Sequence, residues 1–86
     1  MFADKINFKL MTATEEVVKI NKIKEVLFFK EKSQRWLADQ LGAGYNTMAN
    51  WCNNKNQPHL KDLKRIAEVL NVNIKDLLYD TPVKAE

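Results

Sequence analysis

The chain has 86 residues, 45% of them hydrophobic, which suffices for one small domain with a single core. Its net charge is +3, and its single cysteine, Cys52, excludes an intrachain disulfide, so a reduced, cytoplasmic setting is expected. No apolar run approaches the roughly 20 residues that cross a bilayer, and residues 1–10 carry charges where a signal peptide is apolar, so neither membrane anchoring nor export is expected.

The charges are spread unevenly along the chain. Between Lys19 and Asp76, eleven basic side chains stand against six acidic ones, so the body is basic and the ends are acidic. A basic body favours a polyanionic partner, because each phosphate that it neutralises releases counterions. An excess of positive charge this small indicates nucleic-acid binding only if the sequence also contains a binding motif.

The beginning of the chain has two interpretations. Residues 1–10 alternate apolar and polar side chains over a short span, which is typical of a strand. Alternatively, the domain starts at Met11-Thr12, and residues 1–11 are an extension that is disordered or pairs with another chain. In both cases the domain spans residues 12–80, and residues 81–86 form a tail with little to bury.

Capping residues and helical spacing predict the first three helices. Thr12 and Glu15 form a capping-box pattern before apolar residues at helical spacing, which predicts a helix over residues 13–31. Ser33 is the predicted N-cap of a second helix that ends near Leu41. A third helix runs from residue 44 or 45 to about residue 53.

Two more helices follow in the second half of the chain. Pro58 suits the opening of a fourth, which stops at Asn71. The apolar residues of this helix share one face: Leu60, Leu63, Ile66, Ala67 and Leu70. Asn73 caps a fifth helix, with Asp76 near its positive end and Val72 packing on Leu77. Five short helices with little strand signal after residue 10 predict an all-α domain.

The second and third helices meet at a corner of small residues, 42–44. Leu37, Ala38 and Leu41 share one helix face, and Met48, Trp51 and Cys52 share a face of the next. Gly42 permits the positive φ that a tight exit from a helix requires. Each helix thus has one face that can be buried in the core and one that stays free for binding, as in a helix-turn-helix.

The order of these motifs resembles that of the Cro and lambda-repressor-like (xenobiotic-response-element type) helix-turn-helix regulators. The family pattern reads here as LADQLG from Leu37, PHLKDLKRIAEVL from Pro58 and VNIKDLL from Val72, and the resemblance covers roughly residues 20–79. It implies a five-helix, lambda-repressor-like DNA-binding domain whose third helix enters the major groove while the second lies across the DNA backbone.

The resemblance also implies which side chains touch DNA. The base-facing positions are Tyr45, Asn46 and Asn50, and the backbone-facing ones are Gln34, Arg35, Thr47, Asn53, Asn54 and Lys55. Asparagine suits the paired edge of adenine, where a bidentate contact is worth roughly 1–3 kcal/mol. Residues 43–54 contain no Lys or Arg to read guanine, so a dependence on A·T pairs is expected.

The sequence departs from the family pattern in three ways. Many family members have an Arg on the first helix that pairs with a Glu at the end of the third. The matching residues here are Leu27 and Cys52, an apolar pair that avoids the cost of desolvating two charges. A loop glycine corresponds to Asn54, the next-best residue for positive φ. Gly44 stands where a Ser, Thr or Asn commonly caps the third helix, so this helix starts without a side-chain acceptor.

Several side chains have an ordinary structural interpretation beside the functional one. Met48 and Trp51 are expected in the core, and Trp36 is either a lid over the first helix or a partner surface. Phe28 and Phe29 cannot both point inward, so one is exposed, covers the N-terminal segment or makes a dimer contact. Tyr45 either faces bases or leans into the bundle. Lys61, Lys64 and Arg65 form an ordinary charged face rather than a DNA-binding stripe.

The sequence favours a regulator over an enzyme. It contains no glycine-rich phosphate loop or nucleophile motif, and His59 and Cys52 alone do not make a metal site, so neither catalysis nor a cofactor is expected. The expected partner is double-stranded DNA with a two-fold operator, bound by a homodimer. The biological roles expected for such a regulator are phage-like repression, plasmid or restriction-modification control, or action as the antitoxin of a toxin pair. The alternative is a protein-interaction module on the same scaffold.

Overall fold

The computed structural model describes residues 18–83. In this range it contains four α-helices, α1 (Ile23–Phe29), α2 (Gln34–Leu41), α3 (Tyr45–Cys52) and α4 (Leu60–Leu70), followed by a 3-10 helix over Ile74–Leu77. The all-α class is confirmed, but the predicted fifth helix is a single 3-10 turn. None of the helices described has the length and apolar character that crossing a bilayer requires.

The helices pack around one apolar core. The buried residues are Ile23, Leu27, Leu37, Ala38, Leu41, Met48, Cys52, Leu63, Ile66, Ala67, Leu70 and Leu77. Met48 is confirmed in this core, whereas Trp51 is half-buried against it. Leu27 and Cys52, the apolar pair in place of an ion pair, are both buried. Trp36 is half-buried against the core, and the Lys32 ammonium lies 4.8 Å from its ring centroid.

The beginning of α1 differs from the prediction. A helix was expected over residues 13–31, but residues 18–22 are not helical and α1 begins at Ile23; residues 13–17 and the predicted 1–11 extension lie outside the described range. The backbone N–H of Lys22 donates to the Leu77 carbonyl at 2.8 Å, and that of Tyr79 donates to the Ile20 carbonyl at 2.9 Å. Antiparallel pairing with a distant segment thus overrides the helical spacing.

The corner between α2 and α3 follows the prediction closely. The Ser33 hydroxyl accepts the backbone N–H of Trp36 at 3.0 Å, as an N-cap does. Gly42 ends α2 with a φ of 68°. Gly44 precedes α3 in an extended conformation with a φ of −69°, and no side-chain cap is present there.

The α4 helix begins two residues later than Pro58 suggests, with His59 as its N-cap residue. Leu60 was expected on its buried face but is 79% exposed, because the first residue of the helix lies beyond the core. Asn71 ends the helix with a φ of 58°, as predicted, and the Asp76 carboxylate accepts the backbone N–H of Asn73 at 3.1 Å.

The paired phenylalanines of α1 are exposed. Phe28 is 86% exposed and Phe29 is 81% exposed. The sequence predicts that the two cannot both point inward, and in the structure neither does. The buried face of α1 is formed by Ile23 and Leu27, four residues apart, and both phenylalanines lie off that line.

Candidate nucleic-acid interface

Four of the nine predicted contact residues lie on α3, among them the three expected to face bases. Tyr45, Asn46 and Thr47 are exposed, and Asn50 is half-buried one turn further along. The opposite side of the helix is anchored by Met48 and Cys52 in the core. Because those two residues fix the rotation of the helix, its amide-bearing side faces outward.

The amino end of α3 is joined to α2 by an aromatic contact. The Arg35 guanidinium lies 4.9 Å from the centroid of the Tyr45 ring, within the range of a cation–π interaction. Tyr45 is 46% exposed, so it does not lean into the bundle. The structure thus brings together a side chain predicted to face bases and one predicted to face the DNA backbone. Gln34, beside Arg35 at the start of α2, is half-buried.

The carboxyl end of α3 leads into the loop 53–57, in which Asn53 and Lys55 are exposed. The Lys24 ammonium of α1 donates to the Asn53 side-chain oxygen at 3.3 Å. Lys24 was not among the residues predicted for the site. Lys24 follows buried Ile23, so the sequence places it at the edge of the buried face of α1. Its contact with Asn53 depends on how α1 packs against α3, which the sequence does not show.

Asn54 has a structural role in this loop. With a φ of 60°, it adopts the left-handed conformation expected where the family pattern has glycine. Its side-chain oxygen accepts the backbone N–H groups of Ile20 and Asn21 at 2.8 and 2.9 Å, and its amide nitrogen donates to the Asn21 carbonyl at 2.9 Å. The side chain therefore holds the loop in place rather than projecting from it, which changes the expectation that it contacts DNA.

Asn21 completes this connection from the other side. It is 1% exposed, and its amide nitrogen donates to the Trp51 carbonyl at 2.9 Å and to the Gln57 side-chain oxygen at 2.7 Å. Its side-chain oxygen accepts the backbone N–H of Ile23 at 3.1 Å. We call the hydrogen bonds made by the side chains of Asn21 and Asn54 the asparagine clasp. It ties the end of α3 to the segment before α1.

Other reactive or charged groups have packing roles. Burial raises the pKa of Cys52 to about 11, so its thiol stays neutral near pH 7. No cluster of three metal-ligating side chains occurs within residues 18–83. On α4, Lys64 pairs with Glu68 at 3.2 Å and Arg65 with Asp62 at 3.7 Å, as an ordinary charged face would. Arg65 also donates to the Leu41 carbonyl at 2.9 Å, a contact that ties α4 to α2.

The chain is similar to known proteins in sequence and in fold. Residues 18–81 match the family model of the bacteriophage CI repressor helix-turn-helix domain. The chain is also similar to a crystal structure of a candidate DNA-binding protein from Bacteroides fragilis, with a TM-score of 0.69 and 47% identity, covering 70% of this chain and 97% of that chain. A search among curated proteins finds no match. The chain belongs to the bacteriophage CI repressor helix-turn-helix family.

Proposed function

We propose that this chain is a sequence-specific double-stranded DNA-binding regulator, repressor-like in action, that reads the major groove with α3. The observation that carries the proposal is the outward face of α3, where Tyr45, Asn46 and Asn50 stand between Arg35 at one end and Lys55 at the other. Amide groups suit base edges, and cations suit the flanking phosphates. Such a regulator would act in the cytoplasm.

The contacts divide by chemistry. Asn46 and Asn50 would read adenine, and Tyr45, held by Arg35, would contact a neighbouring base edge. Phosphates would be contacted by Gln34, Arg35, Thr47, Asn53 and Lys55. Asn54 would position the loop through the asparagine clasp instead of touching DNA.

Binding as a homodimer to a two-fold operator follows from the size of this surface. One domain offers about three base-reading side chains, whereas two copies on half-sites about one helical turn apart multiply affinity and specificity. The domain that binds would comprise residues 12–80, with residues 1–11 and 81–86 flanking it.

The test is selection of a duplex from a random pool with the full chain, followed by fluorescence anisotropy. Wild type should bind a partly palindromic, A·T-containing duplex, with affinity falling steeply as salt rises. Asn46→Ala and Asn50→Ala should each lose about 1–3 kcal/mol on that duplex and relax the preference for one base pair. Lys55→Ala should weaken binding to all duplexes alike.

Two outcomes would overturn the proposal. One is no binding to any duplex at low salt, and the other is equal affinity for selected and scrambled duplexes. In either case the exposed face of α3, or exposed Phe28 and Phe29, would have to serve a protein partner. A control variant, Lys64→Ala on α4, should change neither affinity nor base preference, because Lys64 is paired with Glu68.

A further inference from the structure

A group of basic side chains lies beside α3 but outside the helix-turn-helix. Lys24 reaches Asn53 from α1, and Lys19 belongs to the segment that precedes α1. Both line a groove of about 240 Å³ at the carboxyl end of α3, together with Glu25, Cys52, Asn53 and Asn54. The helix-turn-helix itself has no Lys or Arg between residues 43 and 54, so these lysines are a separate source of positive charge.

The asparagine clasp fixes the backbone between these two lysines. Ile20, next to Lys19, and Asn21 both donate their backbone N–H groups to the Asn54 side chain. Ile23, next to Lys24, donates to the Asn21 side chain. The groove is therefore built before any ligand arrives, which lowers the entropic cost of binding.

The charges in the groove are unbalanced in favour of an anion. Glu25 is the acidic residue among those lining it, and its carboxylate accepts the Tyr79 hydroxyl at 2.8 Å. Partial burial acts to raise the pKa of Glu25, but the hydrogen bond from Tyr79 and the charges of Lys19 and Lys24 outweigh it, so the pKa lies below its usual value. The groove is thus lined by two ammonium groups and one carboxylate, and that carboxylate already accepts a hydrogen bond from Tyr79.

We propose that Lys19 and Lys24 form a subsite for backbone phosphate of DNA, beside the loop 53–57. This inference rests on the proposed function and extends its footprint to the first helix and the segment before it. The hydrogen bond from Lys24 to Asn53 places the subsite next to a residue that the proposed function assigns to the DNA backbone. The subsite adds affinity without base information, because phosphate contacts are independent of sequence.

The test is the salt dependence of binding, measured by anisotropy with the full chain and the selected duplex. Each phosphate contact contributes about 0.9 to the slope of log Kobs against log salt. Lys24→Ala should lower the steepness of that slope by about 0.9, and the Lys19→Ala/Lys24→Ala double variant by up to about 1.8. Base preference should stay as in wild type, in contrast to Asn50→Ala.

Two further variants complete the experiment. Glu25→Gln should tighten binding at moderate salt, because it removes the negative charge from the groove and keeps an oxygen that can accept the Tyr79 hydroxyl. Lys75→Ala, on the 3-10 helix and not lining the groove, should leave the slope unchanged. Circular dichroism melting of every variant separates loss of a contact from loss of the fold.

The outcomes are distinguishable. If folded wild type and the double variant bind DNA with the same slope, Lys19 and Lys24 touch no phosphate and this inference is wrong, although the proposed function stands. A change in slope for Lys75→Ala equal to that for Lys24→Ala would also overturn it, since the effect would then be general charge. If wild type binds no duplex at low salt, the proposed function fails and the subsite fails with it.

Discussion

The two helices of the helix-turn-helix are held in different ways. The α2 helix is secured at both ends, by the Ser33 hydroxyl at its start and by the left-handed Gly42 at its finish, where Arg65 also bonds the Leu41 carbonyl. The α3 helix starts at Gly44 without a side-chain cap and is secured by its buried side and by the asparagine clasp at its far end. The supporting helix thus has a side-chain cap at its start, whereas the proposed reading helix begins without one.

The largest expected effect comes from breaking the clasp. Asn21→Ala should lower the free energy of unfolding by about 2–3 kcal/mol, because it leaves the buried Ile23 N–H without its acceptor and removes the amide that donates to the Trp51 carbonyl and the Gln57 side chain. Urea denaturation followed by circular dichroism measures the loss. Asn56→Ala, an exposed residue of the same loop, is the control and should change stability by less than about 0.5 kcal/mol. Equal losses in the two variants would show that the clasp does not secure α3.

The corner glycine should give the next effect. Gly42→Ala should cost about 1–2 kcal/mol, because an L-residue is strained at a φ of 68°. Apart from the adjacent residues of the chain, no side chain or backbone segment packs within 4 Å of the added methyl group, so the cost arises from backbone conformation. Gly42→Asn should lose clearly less in the same denaturation, since asparagine tolerates this conformation, as Asn54 and Asn71 do here. A similar loss for Ala and Asn would exclude backbone strain as the cause.

A single substitution can remove the side-chain cap at the start of α2. Ser33→Ala should lower stability by about 1 kcal/mol, because the Trp36 N–H loses its side-chain acceptor. Thermal melting would detect this as a lower Tm. Ser33→Asp keeps an acceptor oxygen and should retain most of the stability. If Asp is as harmful as Ala, the hydroxyl does not act as a cap.

The smallest expected effect comes from adding a side-chain cap at the start of α3, like the one at the start of α2. Gly44→Ser should raise stability by a few tenths of a kcal/mol, because serine supplies the acceptor that glycine lacks. The backbone there is already extended, and an added Cβ would lie 3.9 Å from the Thr47 hydroxyl, an ordinary contact. Tm again provides the measurement, with Ser33→Ala as the opposite reference. A lower Tm would contradict the idea that α3 lacks only a cap.

Local signals in the sequence predicted the parts of the molecule that depend on neighbours along the chain. Ser33 as a cap, Gly42 as a left-handed corner and Asn71 as a helix end were all expected, because each depends on a few adjacent residues. The side of α3 that is buried was likewise predicted by helical spacing, with Met48 and Cys52 inward. These features place the candidate site on the exposed side of α3.

The structure differs from the sequence-based prediction where distant segments meet. Helical spacing extended α1 back through residues 18–22, yet the pairing of residues 20–22 with residues 77–79 keeps that segment out of the helix. The role of Asn54 and the position of Lys24 beside Asn53 depend on contacts across about thirty residues of chain, which spacing within one helix cannot encode. The predicted fifth helix is a 3-10 turn over Ile74–Leu77, and the residues at its end, Leu77 to Tyr79, pair with the segment before α1 instead of continuing a helix.

The sequence by itself therefore determined the all-α class, the helix-turn-helix corner and the amide-rich, uncharged character of α3, because these depend on local backbone preference and on which side chains are apolar. Only the tertiary structure decided where α1 begins, how the end of α3 is secured, and which cations lie beside it. Hydrogen bonds such as that from Asn21 to Trp51 form only once distant parts of the chain are brought together and removed from water.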